Sequence, residues 1–373
     1  MKNIFKIASL LVAAVMLFAC EKVGDDTNTG GLRMVSDKDV IQANGQDGAT
    51  IKVMLDGKDV TAESFIYDEN DNEVALVDGK FVTSEVGEYK FYANYGTLST
   101  FNKSADDNGL FVVKAINVAV PEAVKDLKAE NTSFVHRTFL TQYTGTGCGN
   151  CPLMIRVLKG LIETGDIPGK AVMAASHAYN TSDPAYIPTP KTNSYPFLTL
   201  DHVQGFTAGL TTTSDDLKAI IEERIADPAK AGISVTPAYY DAEGTLVVKV
   251  AVKAAVDGIF NVGAWLLEDG IYGAQEDYHG IKDDSYDIHE NCIRIADSKY
   301  QGTWFGHELG TLAKGQVAEK TFVMNVKKSW VVENLHLAVF VSYGEVEGSR
   351  VAYTVCNAVD APIDAPTPFD YTE

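Results

Sequence analysis

The sequence predicts a multidomain chain: an N-terminal antiparallel β-sandwich, a central α/β domain and a C-terminal antiparallel β-sandwich. Apolar residues alternate with period two before residue 120 and again after residue 231, as half-buried strands require. Between these regions, short apolar strands are interleaved with apolar stripes at helical spacing. At 373 residues and 46% hydrophobic composition, the chain can bury two or three cores, which excludes a wholly disordered or collagen-like protein. Lys plus Arg number 31 against 51 Asp plus Glu, a formal charge of −20. A surface of that sign repels phosphate backbones, so nucleic acid is not an expected partner.

The chain opens with Lys2 and Lys6, an apolar run over residues 7–17, and then Leu17-Phe18-Ala19-Cys20. The run is shorter than the about 18 residues that a spanning helix needs, and it reads as an export signal over residues 1–19. The Leu-Phe-Ala-Cys ending resembles the lipobox of bacterial lipoproteins, which implies cleavage before Cys20 and lipidation (palmitate included) of that residue. The chain is then held to the membrane by lipid at Cys20. Residues 20–33 are polar, acidic and glycine-containing, a flexible tether.

Residues 34–120 alternate in the manner of short strands, as at Ile51, Val53 and Leu55 and at Tyr89, Phe91 and Ala93. Turn pairs Asp56-Gly57, Asp78-Gly79 and Tyr95-Gly96 punctuate them, so an immunoglobulin-like sandwich is expected. The acidic stretch from Asp68 to Glu73 lacks the glycine and distal glutamate of a calcium loop and reads as a solvated hairpin turn. Residues 231–373 form the closing β domain, with strands around Leu246–Val252, Leu335–Val341 and Val351–Val355 and an extended proline-containing tail. The stretch from Glu276 to His289, although rich in acid and histidine, reads as a solvated loop.

The chemistry centres on residues 130–230. A strand over 139–143 runs into Thr144-Gly145-Thr146-Gly147-Cys148-Gly149-Asn150-Cys151-Pro152, followed by a helix whose apolar face is Leu153, Met154, Val157, Leu158 and Leu161. A cysteine at a helix entry is the place where unsatisfied N–H groups stabilise a thiolate. Cys148 then attacks a disulfide and Cys151 resolves the mixed product. Pro152 fits the first turn, and Gly149 and Asn150 leave the backbone pliable between the sulfurs. A second strand follows over 171–176, then a proline-led strand at Pro196 and a helix capped at Ser214. That order resembles thioredoxin, which implies a cis-proline role for Pro196 and its preceding carbonyl. Gly147 stands where thioredoxins usually carry a tryptophan, and no counterpart of their buried acid is evident. His177 ends the second strand on the rim expected to hold Cys148; it either tunes the thiol or is a hydrogen-bonded strand-end histidine. With Cys148 and Cys151 paired, Cys292 and Cys356 remain as a possible structural disulfide, which neither parity nor facing settles.

The lipobox, the Tyr143-to-Pro152 string and the closing β domain together resemble the twenty-eight-kilodalton outer-membrane protein family of Bacteroidetes-type bacteria, over residues 134–362. The resemblance implies a lipid-anchored envelope protein with a thioredoxin-like core, in the outer membrane and facing either periplasm or exterior. The chain departs from the family at His289-Glu290-Asn291-Cys292-Ile293-Arg294, where a second histidine is missing. Two functions remain open. One is thiol–disulfide exchange on envelope proteins or peptides through a redox-active Cys148 and Cys151. The other is surface binding or adhesion with that disulfide only structural. No nucleotide loop, hydrolase elbow or zinc-protease string is present, and neither cofactor nor metal is expected.

Overall fold

The computed structural model describes residues 31–101, 110–296, 304–348 and 350–372. The expected export signal and Cys20, the expected lipidation site, lie outside the described residues. No helix among those described is long and apolar enough to cross a membrane.

The N-terminal region forms two sheets around one core containing Ile41, Ile51, Val53, Phe81, Phe91 and Val113. Its pairing is antiparallel except where Val40–Gln42 runs parallel to Phe111–Ile116, a departure from the all-antiparallel expectation. In the acidic turn, the Asp68 carboxylate accepts the backbone N–H groups of Asn70 and Asn72. This region docks onto the C-terminal sheet: Val40, Ile116 and Val118 pack with Val247.

A nine-stranded sheet organises the rest. Its order is Gln204–Phe206, Phe197–Leu200, Thr138–Thr144, Ala171–His177, Cys292–Ala296, Gly258–Glu268, Leu335–Glu347 and Arg350–Pro362, with His307–Leu312 also paired to Gly258–Glu268. Thr138–Thr144 and Ala171–His177 are parallel, and Cys292–Ala296 joins them in parallel through Ala175 and Cys292. The same strand pairs antiparallel with Gly258–Glu268. Residue 230, read from sequence as a domain boundary, therefore lies inside a segment whose two sides share one hydrogen-bonded sheet.

All residues of Thr138–Thr144 and Ala171–His177 are buried, as expected of parallel strands covered on both faces. On one face, Leu140, Ala171 and Met173 meet Met154, Val157, Leu158 and Leu161 of the helix Pro152–Glu163, together with Leu217 and Ile221 of the helix Ser214–Arg224. Burial of each of these large aliphatic side chains contributes about 1.5–3 kcal/mol. Thr213, not Ser214, caps the second helix, with its N–H and hydroxyl directed to the Asp216 carboxylate. Ser214 Oγ instead donates to Val157 O at 2.9 Å and ties the two helices together. On the other face, Phe139 of the central segment packs with Trp265 and Phe340 of the C-terminal segment.

The antiparallel half of the large sheet faces a three-stranded sheet of Ala231–Tyr240, Thr245–Ala254 and Val317–Asn325. The tail is extended, as expected, but it is not confined to the surface: Phe369 is buried against Phe134. Lys253 is buried beneath this tail, its Nζ 2.8 Å from Asp126 Oδ2 and 2.6 Å from Ala129 O. His336 sits between Asp360, 2.7 Å away, and Asp269, 3.3 Å away. Burial alone depresses its pKa, but the two carboxylates outweigh it and hold the imidazole at about 9.

Two expectations follow. Lys253→Ala strands the Asp126 carboxylate and two carbonyls, and should cost about 3–5 kcal/mol in urea unfolding; a loss under about 1 kcal/mol would contradict the assigned role. Because the folded pKa of His336 is raised, its contribution is complete below about pH 6.5 and disappears as pH rises through about 9. The parent should therefore lose more stability between pH 7 and 10 than His336→Gln does, measured as urea midpoints.

Candidate functional site

The motif loop leaves the end of strand Thr138–Thr144 and turns twice, with Cys148 N–H donating to Gly145 O and Cys151 N–H to Cys148 O. Cys151 already has helical dihedrals, and Pro152 is the first residue of the helix, where its missing N–H costs nothing. Cys148 and Cys151 form a disulfide with Cα atoms 5.4 Å apart. The Tyr195–Pro196 peptide is cis. Phe197 is in register with Tyr143, so Pro196 lies opposite the strand end from which the motif loop departs.

The expectation of a reachable sulfur is not met. Cys148 is 3% exposed and Cys151 is fully buried. The stretch read from sequence as a solvated loop is bonded along the motif loop instead. Glu276 N–H donates to Thr146 O at 2.7 Å, and Tyr278 N–H to Gly149 O at 2.9 Å. Gln275, itself buried, donates from Nε2 to Cys148 O at 2.9 Å, and His279 Nε2 lies 2.9 Å from Asn150 Oδ1. These bonds extend the motif backbone sideways into a second segment more than a hundred residues away.

The glycines of the motif serve close approach rather than pliability. A Cβ on Gly149 would lie 2.4 Å from the Tyr278 ring, and one on Gly147 would lie 2.3 Å from Asn180 Nδ2. A side chain at Gly147 would require Asn180 to move.

His177 takes the second of its two readings, a hydrogen-bonded histidine at a strand end. Its Nδ1 is 3.0 Å from Asp183 Oδ2, and its Nε2 is 3.6 Å from the sulfur of Cys292. Asp183 also accepts the N–H groups of Thr146 and Ala185. Burial works against the Asp183 carboxylate, but His177 and these amides hold its pKa down at about 2. The sequence offered no sign of this residue beyond an acid six positions after His177. Asp183 nonetheless links the motif loop, the strand end and Cys292 in one buried network. The ring of His289 packs edge-on to that of His177 at 4.8 Å, and its Nε2 bonds Gly273 O.

Cys292 and Cys356 are both free and buried, which removes the possible second disulfide. Cys292 packs with Ala185 and Ile271, whereas Cys356 belongs to the core between the large sheet and the three-stranded sheet. Burial pushes both thiols up, that of Cys356 to about 12, so neither is a thiolate at neutral pH. Among the described residues, no group of three or more His, Cys, Asp or Glu is arranged to hold a metal ion.

No protein-family model matches the chain, and no curated protein sequence matches it. Among solved structures, HBP35 of Porphyromonas gingivalis superposes with a TM-score of 0.50 at 15% identity, covering 63% of this chain and 78% of that one. A domain of the outer membrane lipoprotein Omp28 from Porphyromonas gingivalis aligns at 20% identity over 36% of this chain and 88% of that chain, with a TM-score of 0.23. The chain is thus similar in fold to HBP35 over the aligned part.

Proposed function

We propose that this chain is a lipid-anchored outer-membrane protein that acts as a binding scaffold, its Cys148–Cys151 disulfide bracing the motif loop rather than turning over. One observation carries the reading: Cys148 is 3% exposed, in a loop whose carbonyls are bonded by the segment 275–279. Thiol–disulfide exchange needs a thiolate to reach a sulfur, and a Cys148 only 3% exposed leaves little approach. The brace has a clear mechanical task. It fixes the loop whose carbonyls at Thr146, Cys148 and Gly149 receive the covering segment. The Leu17-Phe18-Ala19-Cys20 ending and the acidic stretch after it support anchorage by lipid, with the folded part held off the membrane.

A second reading is favoured by a specific observation. The cis-Pro196 lies opposite the strand end that feeds the motif, and a thioredoxin-like core with this arrangement suits exchange on envelope proteins, with Cys148 attacking and Cys151 resolving. That reading requires the covering segment to lift.

Redox titration of the protein carrying Cys292→Ala and Cys356→Ala separates the two. A brace should give a potential below about −300 mV, whereas a value between about −270 and −120 mV belongs to a working oxidoreductase and would overturn the scaffold reading. The double variant Cys148→Ser/Cys151→Ser should lose about 2 kcal/mol in urea unfolding. Gly149→Ala, which displaces Tyr278, should speed reduction of the disulfide by a water-soluble phosphine at least tenfold, followed by mass spectrometry. An unchanged rate would show that the cover does not protect the sulfur.

A further inference from the structure

A cavity of about 330 Å³ lies beside the helix Pro152–Glu163, on the helix-covered face of the central sheet. Met173 and Ala175 lie at its base, Ile155 and Ile162 line it from the helix, and Tyr286 and Ile288 line it from the segment before Cys292. Gln142 and Thr144 also reach its base, but Gln142 Nε2 and Thr144 Oγ1 are sealed inside the protein, so neither atom is offered to an occupant. Cavities of this order hold small ligands.

The helix has more apolar surface than its core uses. Met154, Val157, Leu158 and Leu161 fill the space between helix and sheet. Ile155 and Ile162, about two turns apart, belong to none of the apolar cores among the described residues, and neither does Ile288. Ile162 is 44% exposed and Ile288 41%, both at the same cavity. Aliphatic side chains left in water at a concave site present surface that an apolar guest would cover.

Charge fixes the other end of the guest. Among the lining residues Lys159 is the one lysine or arginine, and its ammonium is committed to Ser285 Oγ at 2.8 Å and to the face of Tyr286. Glu163 and Glu290 line the same cavity, and Asp283 caps the turn that carries Ser285 and Tyr286. Glu290 spends one oxygen on Gly270 N–H, whereas the Glu163 carboxylate makes no ion pair among the described residues. An anionic head would meet carboxylates and a cation already engaged; a cationic head would meet a free carboxylate.

We infer that this cavity binds a small alkylammonium or arylalkylammonium ion, its apolar body against Ile155, Ile162 and Ile288 and its cationic head toward Glu163. The inference goes beyond the scaffold reading and does not depend on whether the disulfide turns over, since no cysteine lines the cavity.

The test titrates the oxidised protein at about pH 7, where a primary amine is protonated. The probes are hexylamine, hexan-1-ol and hexanoate, which share one chain and differ in head charge, and the methyl resonances of Ile155, Ile162 and Ile288 are followed by NMR. All three methyls should shift saturably with hexylammonium, which should bind at least about fivefold more tightly than hexanoate, with hexanol between. Glu163→Gln should cut that preference at least about threefold and leave hexanol affinity unchanged. Ile162→Ser, at a partly exposed position, should weaken all three probes. Absence of saturable shifts, or hexanoate binding as tightly as hexylammonium, would overturn the inference. So would a parental preference that survives in Glu163→Gln, or an Ile162→Ser variant that binds every probe as the parent does.

Discussion

The parallel junction of Ala175 with Cys292 is the constraint from which most of the site follows. It inserts a strand from the C-terminal segment beside Ala171–His177 and so merges two half-sheets into one. Residues 271–290, which precede that strand, are thereby delivered across the end of the central sheet. They fall on the motif loop at Thr146, Cys148 and Gly149. Removing that junction would release the segment bonded to the motif loop and the sulfur of Cys292 together.

Once the junction exists, polar groups at the seam must be satisfied without water. Asp183 meets much of that need by accepting from Thr146, Ala185 and His177, and His177 in turn faces Cys292. A carboxylate bonded in this way is far more stable charged than neutral, consistent with its depressed pKa. Asp201 plays a similar part at the opposite end of the strands, receiving Thr138 Oγ1 and Phe139 N–H together with Arg224 Nε at 2.7 Å. The two ends of the central sheet are thus each pinned by one buried aspartate. The apolar cluster of Phe139, Trp265 and Phe340 lies across the face between the two half-sheets.

Much of the local architecture was legible from residue order. Period two marked the strands of both β regions, the stripe from Leu153 to Leu161 marked a helix, and Cys148 to Pro152 marked its start. The loop from Glu276 to His289 was misread because its residues are individually polar and several are exposed. Its contribution comes from the N–H groups of Glu276 and Tyr278 and the amide of Gln275, which composition does not reveal. Cys292 and Cys356 resisted assignment for a related reason. Alternation says that a side chain is buried, and not which of two cores it enters.

The sequence by itself determined the elements and the local chemistry: a cysteine pair at a helix entry, the apolar stripe of the helix that follows and the alternating strands of the β regions. These depend on spacings of two to about four residues, which the chain carries wherever it is placed. Only the tertiary structure decided that Cys148 is buried and that His177 answers to Asp183 and Cys292. Each of these outcomes joins residues from separate elements, many of them more than a hundred positions apart. Such contacts are set by how sheets and helices stack, and no short-range period encodes them.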